Sequence, residues 1–123
     1  MKFEGNHELP SLEFIEDEGL IKIWGRSISI EPTVFWTPLH EKMEEYLKES
    51  RDIIVSLDFE YFNTPSAKHI LQFLYLLKDK VIIQNKRKLL IKWIYEDEDM
   101  RGTGEDYQSM VKEATWKFIE NNN

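Results

Sequence analysis

The amino-acid sequence predicts an α/β protein with a four-stranded mixed sheet, its elements in the order ββαβαβα and its helices largely on one face. Two stretches, Ile53 to Tyr61 and Lys88 to Tyr95, alternate apolar and polar residues with period two, as half-buried strands do. Other stretches repeat apolar residues at the helical period. The two patterns take turns along the chain, and such alternation favours parallel strands joined by right-handed crossovers.

Ser11 to Asp17 and Leu20 to Ser27 are β-rich and are separated by Glu18-Gly19, where glycine supplies the positive φ of a tight turn; they read as a hairpin. Glu31-Pro-Thr-Val-Phe-Trp-Thr-Pro38 reads as a connection, with Thr37 capping the first helix and Pro38 at its first position. Leu39, Met43, Tyr46 and Leu47 then share one helical face. In the next strand Val55, Leu57, Phe59 and Tyr61 fall on one side, and Ile54, Ser56, Asp58 and Glu60 on the other. The second helix is expected to begin near Thr64 and Pro65 and to bury Ile70, Phe73, Leu74, Leu77 and Val81. Leu89, Ile91, Trp93 and Tyr95 give the fourth strand its inner side, opposite Leu90, Lys92 and Ile94. Tyr107, Met110, Val111, Ala114 and Phe118 predict a third helix ahead of an Asn-rich tail. Because the later strands are apolar mainly on one side, the opposite face of the sheet is expected to be partly available to partners.

A chain of 123 residues, 41% hydrophobic and 13% aromatic, has enough apolar content to fold, and the expectation is a single domain over residues 1–123. No apolar run approaches the length of a membrane span, and Met-Lys-Phe-Glu-Gly-Asn at the start lacks an apolar signal core, so a cytoplasmic location is expected. The absence of cysteine removes disulfides, thiolate nucleophiles and Cys-based zinc sites. A net charge of −7, from 23 acidic and 16 basic residues, repels phosphate backbones and anionic lipid heads. Neither nucleic acid nor membrane is an expected partner. Lys86, Arg87 and Lys88 read as a solvated loop.

Tyr61-Phe62-Asn63-Thr64-Pro65-Ser66-Ala67-Lys68 carries the chain from a strand end into a helix. Thr64 reads as its N-cap, worth ~1 kcal/mol, and Pro65 suits a first turn. A phosphate at Thr64 would meet free helix N–H groups and the positive end of the helix dipole. It would also add about 1.5 to 2 negative charges to an exposed junction.

The string Glu60 to Lys68, preceded by Gly25-Arg26-Ser27 and followed by Trp93-Ile-Tyr-Glu-Asp-Glu-Asp-Met100 and Gly104-Glu-Asp-Tyr107, resembles the SiaC family of regulatory phosphoproteins over most of the chain. Pro65 stands where a serine is common in that family. The resemblance implies a fold like STAS domains and reversible phosphorylation of Thr64. It further implies a dedicated Ser/Thr kinase, a PP2C-type phosphatase and an output partner, such as a diguanylate cyclase, bound by the unphosphorylated form. Tyr61, Phe62, Asn63, Ser66 and Lys68 are the expected partner-binding residues around Thr64. The expectation is a bacterial, non-enzymatic regulator without a cofactor.

Two other readings compete. Glu96-Asp97-Glu98-Asp99 follows the fourth strand and would lie at the same sheet edge as Thr64, which invites a small metal-assisted phosphoesterase. The run lacks the ligand spacing and central glycine of an EF-hand loop, and a solvated acidic start to the third helix accounts for it. A purely structural subunit is the other. Asp58 lacks the further acidic pair and lysine of an aspartyl-phosphate receiver, His7, His40 and His69 are scattered, and no Gly-rich phosphate loop, G-x-S-x-G elbow or H-E-x-x-H helix occurs.

Overall fold

The computed structural model of the chain describes residues 1–122; Asn123, the last residue of the Asn-rich tail, lies outside them. The strands are β1 (Lys2–Phe3), β2 (Ser11–Ile15), β3 (Leu20–Ser27), β4 (Ile53–Phe62), β5 (Leu89–Tyr95) and β6 (Thr115–Glu120). The helices are α1 (Thr33–Tyr46), α2 (Thr64–Leu77), continued by a π-helical stretch over Lys78–Gln84, and α3 (Glu98–Met110).

All the strands form one sheet, in the order β1-β2-β3-β4-β5-β6. The first two pairings are antiparallel and the other three parallel. Each parallel connection steps one strand in the same direction, so right-handed crossovers bring α1, α2 and α3 to one face. Ile21, Ile23, Val55, Leu57, Ile91 and Trp93 meet Leu39, Met43, Ile70, Phe73, Leu74 and Leu77 there, all of them buried.

The α/β class, the mixed sheet and the three helices agree with the sequence reading; six strands stand where four were expected. The additional two are the sheet edges. Two-residue β1 is too short to show a period. β6 occupies residues that fit a helical stripe by spacing: α3 stops at Met110, Ala114 lies beyond it, and Phe118 is on a strand. Thr115-Trp-Lys-Phe-Ile is aromatic and β-branched, a composition that favours a pleated strand. In register with β5, Trp116 pairs with Ile91 and Phe118 with Trp93, which puts both rings on the helix side.

α1 also starts earlier than expected, at Thr33 behind Pro32, and Thr37 is not its cap. The first turn thereby buries Phe35 and Trp36, each worth about 1.5–3 kcal/mol. That gain exceeds the single backbone hydrogen bond that Pro38 forgoes inside the helix.

The β2–β3 hairpin turns through a short 3₁₀ segment, Glu16–Glu18, and Gly19 in the left-handed region at φ 61°. A side chain there would also collide with the Asp52 carbonyl oxygen, 2.6 Å from an added Cβ.

At the other end of β3 the register against β4 slips. Gly25 lies opposite Phe59 but Arg26 lies opposite Tyr61, leaving Glu60 as the extra residue of a β-bulge. Gly25, at φ 103°, takes up the distortion. The bulge reverses the alternation that grouped Tyr61 with Val55, Leu57 and Phe59. Phe62 now turns inward, 5.3 Å from the Phe59 ring and 6.5 Å from the Trp93 ring. Tyr61 points outward and is 57% exposed.

Candidate functional site

The parallel strands β3 to β6 end along one edge of the sheet, and each helix begins there. At this edge Asn63, in extended conformation, caps α2: its side-chain oxygen accepts the Ser66 N–H at 3.0 Å. Its own N–H donates to the Ser27 carbonyl oxygen at 3.0 Å, and its Nδ2 to the Ser29 carbonyl oxygen at 3.3 Å. Thr64 is therefore the first helical residue and not the cap. Asparagine is at least as good a cap as threonine, and Pro65 is tolerated equally well one position further in.

This shift frees Thr64. Its side chain is exposed, and among the described residues it makes no hydrogen bond. It also alters what a phosphate would meet: Asn63 already holds the Ser66 N–H, and Pro65 has none. The helix dipole and Lys68, exposed one turn along, remain as the favourable charges.

Behind Thr64 the first turn of α2 is tied from two sides. Ser66 and Ser27 are fully buried. The Ser27 hydroxyl donates to Ser66 Oγ at 2.7 Å and accepts the Trp36 indole N–H at 3.2 Å. This chain joins α1, β3 and α2 in a place where an unpaired hydroxyl would cost about 1–3 kcal/mol. From α3 the Tyr107 hydroxyl donates to the Ala67 carbonyl oxygen at 2.9 Å, and burial pushes that phenol up to about 12.

Tyr107 reaches α2 because α3 lies tight against the sheet. The contact point is Gly104, where an added Cβ would sit 2.5 Å from two atoms of the Trp93 indole. Trp93 is fixed in turn, its indole N–H donating to the Met100 carbonyl oxygen at 2.9 Å. Ser27, Phe62, Trp93, Gly104 and Tyr107, separate in the sequence, thus pack together behind the start of α2.

Of the expected partner-binding residues, Tyr61 and Lys68 face solvent, Phe62 and Asn63 are half-buried, and Ser66 is enclosed. Ser27, Trp36, Gly104 and Tyr107 complete the arrangement; Tyr107 was expected in the stripe of the third helix, and Ser27 and Gly104 lie in segments that carry the resemblance, but none was expected to hold the start of α2. Their signal was faint: a serine closing an apolar strand, and a glycine three residues before a tyrosine.

The acidic run lies at this same edge. Asp97 caps α3, accepting the Met100 N–H at 2.8 Å, and Glu98 and Asp99 occupy the first turn. Among the described residues no group of three or more His, Asp or Glu is placed to hold a metal ion. Asp58, opposite Trp24 on the face away from the helices, has its carboxyl raised above the ordinary range by burial and then by the charge of Glu96. His40 and His69 line a groove between α1 and α2. No helix among the described residues is long and apolar enough to cross a membrane.

The family model for the SiaC family regulatory phosphoprotein matches residues 3–121. No curated protein matches the sequence. Among solved structures, the crystal structure of diguanylate cyclase SiaD in complex with its activator SiaC from Pseudomonas aeruginosa holds a similar chain, with a TM-score of 0.89, 18% identity and 98% of this chain aligned to 99% of that one. Apo-SiaC from the same organism matches with a TM-score of 0.83, 19% identity and coverage of 98% and 97%. A further structure of Pseudomonas aeruginosa SiaC gives 0.84, 18% and 98% of both chains. At these identities the likeness is one of fold.

Proposed function

The chain belongs to the SiaC family of regulatory phosphoproteins, and from that premise we propose that it is a non-enzymatic partner-switch protein controlled at Thr64. The unphosphorylated form binds and regulates an output protein, a diguanylate cyclase being the class favoured by the SiaD–SiaC complex of the same fold. A dedicated Ser/Thr kinase phosphorylates Thr64 and releases that partner; a PP2C-type phosphatase restores binding.

The observation that supports this reading most is the state of Thr64: exposed, without a hydrogen bond among the described residues, and mounted on a helix start held by Ser27 and Tyr107. A kinase can reach such a hydroxyl without opening the fold. Tyr61 and Lys68 flank it as contacts for the partner, while Phe62, Asn63 and Ser66 shape the turn from behind.

A phosphate here would be close to neutral for the isolated protein. The helix dipole favours an anion by about 0.3–1 kcal/mol, and the capping amide is already committed to Asn63. At the partner interface the same group adds bulk and charge to a surface fitted to a hydroxyl, and burying an unpaired anion is costly. Titrating a purified diguanylate cyclase partner with both forms, beside thermal melts of each, tests the switch. The phosphorylated form should bind far more weakly and melt at nearly the same temperature. Equal affinities would overturn the switch, and a large fall in melting temperature would replace interface blocking by local unfolding.

A further inference from the structure

The hydrogen bonds at the start of α2 decide what can hold an anion on Thr64. A bare helix start offers its first amides, and this one has few left. Pro65 has no N–H, the Ser66 N–H donates to the Asn63 side chain at 3.0 Å, and the Ala67 N–H donates to the Asn63 carbonyl oxygen at 3.0 Å. Among these amides and the described residues around them, only the N–H of Thr64 itself is unengaged. Nearby side-chain donors are committed as well: Asn63 Nδ2 to the Ser29 carbonyl oxygen, and the buried Ser66 hydroxyl beside Ser27. The arginines of the neighbouring segments are in use, Arg26 paired with Glu60 at 3.5 Å and Arg101 donating to the Tyr95 hydroxyl at 2.6 Å. Lys68 differs. Its side chain is exposed and, among the described residues, has neither an ion pair nor a hydrogen bond.

We infer that Lys68 is the residue that holds a phosphate on Thr64: its ammonium, and not the amides of the helix start, pairs with the phosphate, and phosphorylation thereby withdraws that lysine from the surface. Residues four apart on a helix have Cβ atoms about 5–6 Å apart, a gap that a phosphate and a four-carbon amine close from both sides. The order suits the pair, with the anion at the N-terminal end of the helix and the cation one turn behind it. Glu98 and Asp99, in the first turn of α3 at the same sheet edge, can only repel the phosphate. A switch built this way changes the surface twice. The edge gains about 1.5–2 negative charges, and it loses the use of a positive one. The inference rests on Thr64 as the modified residue and adds the side chain that answers the modification.

The test installs phosphothreonine at position 64 of the full chain by genetic encoding, so that no kinase is needed. Phosphorus NMR then follows the second ionisation of the phosphate, which ordinarily falls near about pH 6. Lys68→Met should raise its midpoint by about 0.2–0.7 pH unit, the range that an exposed ion pair supports, and Lys68→Arg should keep the parent value. Lys112→Met, beyond the far end of α3, controls for net charge and should move the midpoint by less than about 0.1 pH unit. Pro65→Ala returns one amide to the helix start, so it should lower the midpoint and shrink the effect of Lys68→Met. The lysine supplies an independent readout. Acylation of Lys68 by acetic anhydride, followed by peptide mass spectrometry, should slow about twofold to fivefold in the phosphorylated chain while Lys112 reacts equally in both forms. Intact-mass analysis of protein from its native cell examines the switch itself, and the absence of phosphate on Thr64 there would defeat that reading while the titration still decides the pairing. Equal midpoints for the parent and Lys68→Met, or equal acylation of Lys68 with and without the phosphate, would overturn the inference.

Discussion

Substitution of Gly104 by alanine should destabilise the protein, although alanine is the better helix former. The new Cβ would lie 2.5 Å from Cδ1 and Nε1 of Trp93 and 2.8 Å from the Phe118 ring. Trp93 has little freedom to retreat: it is 1% exposed, lies 5.6 Å from the Tyr107 ring and 6.3 Å from the Phe59 ring, and donates to Met100. Overpacking of this kind costs about 1–3 kcal/mol, and loosening the indole hydrogen bond adds about 0.5–1.5 kcal/mol. The helix gains about 1 kcal/mol from losing a glycine. The balance is a loss of about 0.5–3.5 kcal/mol, or about 2–14 °C in melting temperature for a chain of this size. Gly102 is the control, because nothing lies within 4 Å of a Cβ added there. Gly102→Ala should stabilise by about 0.5–1 kcal/mol. Thermal melts followed by circular dichroism compare the two variants with the parent. A Gly104→Ala protein as stable as the Gly102→Ala protein would refute the reasoning and show that α3 is free to lift from Trp93.

Asn63→Ala should cost about 0.5–2 kcal/mol in urea unfolding, while Thr64→Ala stays within about 0.5 kcal/mol of the parent; the reverse ranking would return the cap to Thr64. The Tyr107 phenol, raised from 10.0 to about 12 by burial, favours the fold while protonated. Its contribution is complete below pH 10, is lost as pH climbs from 10 towards about 12, and should vanish from the pH profile of stability in Tyr107→Phe. Asp58, raised by burial and by Glu96, opposes the fold when ionised, so Asp58→Asn should raise the melting temperature at neutral pH and lose that advantage in acid, where the parent carboxyl is protonated; an identical gain at both would rule out charge as the cause.

Much of this architecture was legible because β4, β5 and α2 repeat their patterns long enough to identify themselves. Ile70, Phe73, Leu74, Leu77 and Val81 are all buried as their spacing requires. Elsewhere tertiary contacts outweighed local signals. Pro38 resembled a helix start, but Phe35 and Trp36 bury their rings only if the helix begins before it. Ala114 and Phe118 kept a helical interval from Tyr107, yet β5 offered Trp116 and Phe118 a strand partner. The bulge at Glu60 could not be seen in β4 alone, since it exists only in the pairing with β3. At the site, Thr64 stood out in its motif, whereas choosing between two good caps, Asn63 and Thr64, needed coordinates. The Ser27–Ser66 bond spans 39 residues of sequence and leaves no periodic trace.

Because the sheet is ordered as the chain is, its strands can be laid down one after another during synthesis, each beside the one just made. The start of α2 does not follow that schedule. Asn63, Ser27 and Trp36 can act as soon as β4 and α2 have left the ribosome, but the tie from Tyr107 to Ala67 waits for α3. A nascent chain thus displays Thr64 well before its surroundings are finished. Only a chain made at least through Tyr107 presents the completed surface around Thr64.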